Sequence, residues 1–238
     1  EISVRDWSSD VCSSDLSETG EIGPMWELSR LLRKRGDATG AEHWLRKAAD
    51  AGDDLAMWDL GRLLENRGDN AEAEHWFCKS AEVGDSWRMR RLGKRLQNRG
   101  DAVGAEHWLR KAADDGNKIA MTELGALLGE RGDIVPADHW FRKAADAGYA
   151  QAMWQLGMLL EKHGTVTEAE DWFNKAANDG HAPAMMSLGL RLMQSQDVDG
   201  IIDWYHKAVK TDLAGRITEL LRSGGKPDEQ RSDRKSVV

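Results

Sequence analysis

Residues 56–84, AMWDLGRLLENRGDNAEAEHWFCKSAEVG, spell out two short helices joined by a turn. Ala56, Met57, Leu60, Gly61 and Leu64 fall at helical intervals and make one apolar stripe. Asn66-Arg67-Gly68 closes that helix, because glycine is free to take the left-handed conformation just past a helix C-terminus. Asp69 is expected to cap the next helix, whose inward stripe is Ala73, Trp76, Phe77 and Ser80 and whose end is Gly84. A lone hairpin of this kind cannot bury its apolar face; stacked copies can.

The copies are present. Leucine recurs at 28, 60, 92, 124, 156, 188 and 220, and tryptophan at 44, 76, 108, 140, 172 and 204. Methionine holds 25, 57, 89, 121, 153 and 185. The period is 32 residues without insertion, giving six units: 21–52, 53–84, 85–116, 117–148, 149–180 and 181–212. A partial seventh unit or capping helix is expected at 213–224, and a disordered tail from 225. Pro24, Pro136 and Pro183 all land in the first turn of an expected helix, where a missing N–H is harmless. Residues 6–16 and 233–238 read like translated sequencing adapters, so 1–20 is taken as an adapter-derived or disordered leader of a metagenomic fragment.

The pattern A-x-x-x-L-G-x-L-L-x-x-x-G-D-x-x-x-A-E-x-W-x-x-K-A-A-x-x-G resembles the tetratricopeptide repeat superfamily, particularly its Sel-one-like repeat branch. The unit is two residues shorter than the usual ~34-residue tetratricopeptide. It also lacks the proline usual between units and the longer loop typical of the branch. These departures bear on superhelical pitch and leave the helix–turn–helix stack intact. The expected fold class is all-α, a right-handed α-solenoid with a 32-residue period.

Composition narrows the function. Among 238 residues, 33 Lys+Arg against 41 Asp+Glu give a net charge of -8, which disfavours a general nucleic-acid or anionic-membrane binder. No apolar run approaches the ~18 residues that would demand a membrane span. Cys12 and Cys78 provide neither a disulfide framework nor a zinc cluster.

Three patterns invite chemistry and are better explained by the repeat. Arg-Gly-Asp occurs at 35–37, 67–69, 99–101 and 131–133, where Arg ends one helix, Gly stops it and Asp begins the next. His43, His75, His107 and His139 form a ladder, but equivalent points on stacked units lie about 10 Å apart. Zinc holds its nitrogens at about 2 Å, so the ladder is expected on a solvated face. Glu42 with Arg46, and Glu106 with Arg110, are spaced as ordinary helix-surface pairs. No nucleophile, base and orienting group stand together and no phosphate-cradling loop is present, so no catalytic residue, metal or cofactor is expected.

In tetratricopeptide proteins ligands usually lie in the concave groove lined by first helices, and the resemblance implies the same here. The residues that vary between units point to that surface too. One position carries Trp26, Trp58, Arg90, Thr122, Trp154 and Met186; four residues later come Arg30, Arg62, Lys94, Ala126, Met158 and Leu190. With Trp87, the first three units offer cations among aromatics, and the later ones an adaptable apolar stretch. The expected partner-binding set is Trp26, Arg30, Trp58, Arg62, Trp87, Arg90, Lys94, Trp154, Met158, Met186 and Leu190. Trp26, Trp58 and Trp154 have a second reading as wedges between units. The function this implies is a non-catalytic, cytoplasmic interaction scaffold for an acidic, partly apolar peptide or protein. Alternatives are a regulatory or sensor module of a larger multidomain protein, and single-stranded RNA binding by the Arg/Trp stretch.

Overall fold

The structure, a computed structural model, describes residues 22–195 and 198–209. Twelve helices lie among them: α1 Ile22–Lys34, α2 Ala38–Asp50, α3 Asp54–Arg67, α4 Asn70–Val83, α5 Ser86–Asn98, α6 Ala102–Asp114, α7 Lys118–Arg131, α8 Ile134–Asp146, α9 Ala150–Lys162, α10 Val166–Asn178, α11 Ala182–Ser195 and α12 Val198–Val209. No strand occurs among the described residues, and the class is the α-solenoid type built from helix–turn–helix repeats. The expected leader at 1–20, the seventh unit at 213–224 and the tail from 225 lie outside the described residues.

Two compact units result. In the unit ending at Asn117, hairpins α1/α2, α3/α4 and α5/α6 form, with α2 packed on α3 and α4 on α5. In the unit beginning at Lys118, hairpins α7/α8, α9/α10 and α11/α12 form, with α8 on α9 and α10 on α11.

Five of the six hairpins are closed by a glycine on the first helix and a bulky side chain on the second; in α1/α2 the buried Ser29 holds the glycine's place. A Cβ placed on Gly61 would stand 2.8 Å from Phe77 Cε1, and Gly93 abuts Leu109 in the same way. In the other unit Gly125 faces Phe141, Gly157 faces Phe173 and Gly189 faces Trp204. The ring or leucine thus occupies the space a Cβ would need, and close packing of this kind tolerates little added volume. The periodic tryptophans of the second helices are buried beside these contacts, with Trp108 7% exposed. A lysine three residues on covers each of Trp44, Trp76, Trp108, Trp140 and Trp172, Lys111 Nζ lying 4.7 Å from the Trp108 ring centre. The histidine ladder is exposed, and each member packs edge-on against the next residue, as His107 does on Trp108 at 5.4 Å.

Helix ends follow the repeat with two informative exceptions. Gly68 has φ +97°, the left-handed stop expected of it. Gly84 ends α4 in an extended conformation instead, with φ -84°, and Asp85 takes over by accepting from the N–H groups of Trp87 and Arg88 at 3.1 Å each. The second exception corrects the expected cap at Asp69. Asp37 and Asp101 accept from the N–H of Gly40 and Gly104 at 2.8 and 2.9 Å, whereas Asp69 makes no cap bond and accepts from Arg67 Nε at 2.5 Å. Asp133 pairs with Arg131 in the same way, and the residue three positions on is Pro136, which has no N–H to cap. At 67–69 and 131–133, then, the Arg and Asp of Arg-Gly-Asp clasp each other. Asp101→Ala is expected to cost about 1 kcal/mol and Asp69→Ala less than half of that, compared by thermal unfolding. Equal losses would show that the cap bond contributes nothing.

Candidate protein-interaction face

In the first unit, Arg30, Arg62 and Lys94 sit at one register on α1, α3 and α5, and all three are exposed. Arg30 pairs with Glu27 at 2.9 Å and lies 5.5 Å from the Trp26 ring. Half-buried Trp26 donates its Nε1–H to Asp59 Oδ2 at 3.0 Å, which ties α1 to α3. Arg62 reaches that same carboxylate only at 3.9 Å.

Trp58 is more enclosed than the other expected contacts of this unit. It is 6% exposed, tilted against Phe77 at 4.7 Å, and covered by the guanidinium of Arg91 at 4.4 Å. Arg91 also lies 4.5 Å from the ring of Trp87, which is 43% exposed. Of the two tryptophans that Arg91 touches, Trp87 is the one that solvent reaches.

Around this stack α5 is unusually basic: Arg88, Arg90, Arg91, Lys94 and Arg95 share it with no acidic residue. Arg88 is buried and pairs with Asp54, while Arg95 pairs with Glu65 and lies 4.2 Å from the Phe77 ring. Burial, reinforced by the nearby charges of Arg62 and Arg88, pushes the Arg91 pKa below its ordinary value; burial and Arg99 do the same for Arg95. Arg91 and Arg95 line, with Trp58, Glu65, Lys94 and Arg99, a shallow concavity of about 360 Å³. Arg90 is half-buried at its edge.

In the second unit the corresponding register is apolar. Met158 and Leu190 are 44% and 43% exposed, while Met186 is half-buried. Trp154 is half-buried too, donates its Nε1–H to Ser187 Oγ at 3.3 Å and lies 5.7 Å from the His181 ring. Burial pushes the His181 pKa down, so its neutral form is favoured against the indole.

Arg91 and Arg95 were not among the expected contacts. Comparing units down the columns at 26 and 30 passes over residue 91, one place along. The available signal was a helix with five cations and no acid. Among the described residues no three His, Cys, Asp or Glu side chains stand close enough to hold a metal ion, and no helix is long and apolar enough to cross a membrane.

The family model described as Sel1 repeat matches residues 31–53, 54–85, 89–117, 118–149 and 150–181. A search of curated proteins found no match. Among solved structures, a Sel1 repeat protein from Oxalobacter formigenes is 25% identical over 87% of this chain and 89% of its own, with a TM-score of 0.56. YrrB, described as a TPR protein with an unusual peptide-binding site, is 19% identical over 75% of this chain and 97% of its own, with a TM-score of 0.52. PilF of Pseudomonas aeruginosa is 15% identical over 85% and 97%, with a TM-score of 0.56.

Proposed function

Because the chain belongs to the Sel1 repeat family, we propose that it is a non-catalytic scaffold that holds a peptide or partner protein against the exposed face of its first helices. Support comes from one register. Leu60, Leu92, Leu124 and Leu156 are all buried, whereas the position two residues on changes chemistry from unit to unit. Arg62 and Lys94 stand there in the first unit, Met158 and Leu190 in the second. A packing role needs sameness; variation at exposed positions suits recognition. The first unit's face fits an acidic segment and the second unit's face an apolar one. That YrrB carries a peptide-binding site on a related fold is consistent with this use.

Arg30→Glu with Arg62→Glu is expected to weaken binding of an acidic partner about tenfold or more, since each reversal replaces attraction by repulsion. Both arginines are exposed, so thermal stability should change little. A library of acidic–apolar peptides supplies the probe, and affinity is read by calorimetry. Unchanged affinity in the double variant places the partner on another surface.

A further inference from the structure

The tryptophan near the start of a first helix follows a rule in two of its appearances. Trp26 Nε1 donates to Asp59 and Trp154 Nε1 to Ser187, in each case to the residue thirty-three positions on. For Trp58 that residue is Arg91. A guanidinium offers only donors, so the slot that should accept the indole N–H cannot do so. Trp58 Nε1 is indeed buried without an acceptor among the described residues. The indole N–H group is a donor only, and a buried donor left unmet is a rarity that calls for an explanation.

Arg91 is the other half of the anomaly. It stacks between Trp58 and Trp87 with no ion pair among the described residues, and Arg62, Arg88 and Arg90 stand near enough to repel it, against a partial attraction from Asp59. Lys94, one turn along α5, hydrogen-bonds Gln97 at 3.0 Å. Crowded cations beside an unmet donor are what an incoming anion would relieve.

We infer that the junction of α3 and α5 is an anion seat, in which a side-chain carboxylate of a partner's acidic segment accepts from Trp58 Nε1 and pairs with Arg91, as Asp59 already does for Trp26 with Arg62 nearby. The inference rests on the first-helix face being the partner surface. Arg91 is held there by ring stacking, so its displacement opens the way to the indole. A second acid two residues along an extended peptide lies about 6.6 Å from the first. Arg91 and Lys94 are separated by a helical rise of about 4.5 Å, so the flexible Lys94 side chain comes within reach of that second acid. The seat thus fits an internal acid–x–acid sequence, with no need for a chain terminus.

The probe is an end-capped peptide of alternating Glu and Ala, titrated into the full chain. Indole N–H signals are followed by NMR, the Trp58 signal being identified through Trp58→Phe. Saturation is expected to move the Trp58 signal downfield, toward that of Trp26. Arg91→Gln is expected to weaken binding at least tenfold, while Arg110→Gln, on a second helix, changes it less than twofold. Arg91→Asp places a carboxylate in the slot, so the Trp58 signal should shift without peptide and peptide binding should be lost. A Trp58 signal unmoved at saturation, or full affinity in Arg91→Gln, overturns the seat while leaving the wider face to the Arg30/Arg62 test. Binding of an oligoribonucleotide or a phosphopeptide in place of the carboxylate peptide, or self-association displaced by Arg91→Gln, overturns it as well.

Discussion

Trp108→Ala lowers the unfolding free energy by about 3–5 kcal/mol. The indole lies in α6 at 7% exposure, among the buried Ala105, Leu109 and Ala112 of its own helix. A buried tryptophan withdraws ~150–250 Å² from water, which at ~25 cal/mol per Å² sets an upper bound of about 4–6 kcal/mol. The cation over its ring adds less: Lys111 is exposed, and such contacts contribute about 0.5–1 kcal/mol. Lys111→Ala is therefore the matched control, expected to lose less than 1 kcal/mol. Urea unfolding followed by far-UV circular dichroism reads both, because ten other tryptophans obscure fluorescence. In a stack of repeats each hairpin leans mainly on its neighbours, so hydrogen exchange should rise first in α5 and α6. A loss below 1 kcal/mol for Trp108→Ala would remove that side chain from the core.

Gly61→Ala is expected to destabilise the chain by about 1–3 kcal/mol, against the direction helix propensity alone predicts. Glycine inside a helix is disfavoured relative to alanine by about 1 kcal/mol, so the replacement should help. Here the new Cβ would stand 2.8–3.0 Å from three carbons of the Phe77 ring, and a rigid, fully buried ring has nowhere to go. Overpacking wins. Gly129→Ala shows the opposite outcome, because its Cβ meets only the Ala137 Cβ at an ordinary 3.8 Å; a gain of up to about 1 kcal/mol is expected. Pairing Gly61→Ala with Phe77→Val should lose less than the sum of the single changes by about 0.5 kcal/mol or more. Additive losses would mean that the ring and the glycine are not a matched pair.

The fold was legible because the same apolar spacing is written six times, and spacing is what helices and their turns obey. The pairing of Gly61 with Phe77 follows from that register. The candidate face was half legible. Exposure of Arg30, Arg62, Met158 and Leu190 follows from their register, but the fate of the tryptophans does not. Trp26, Trp58 and Trp154 share one register and end with a carboxylate, a guanidinium and a hydroxyl as neighbours, because residues 59, 91 and 187 differ. Neighbours contributed by the next hairpin are invisible when each column is read alone. Asp69 was misread for a related reason. Cap and ion pair compete for one carboxylate, and Arg67 wins it in a turn where Glu72, rather than a glycine, holds the third position on.

The glycine and the bulky residue that fills its space always come from the same hairpin, as with Gly125 and Phe141 or Gly157 and Phe173. These five hairpins therefore carry their own internal fastening, while their neighbours supply the rest of the apolar cover. Cassettes cut at the joints could be duplicated, deleted or traded within this chain without retuning the interior. Each such edit would reorder the exposed anchors, so new recognition could arise by splicing whole hairpins rather than by slow revision of a single surface.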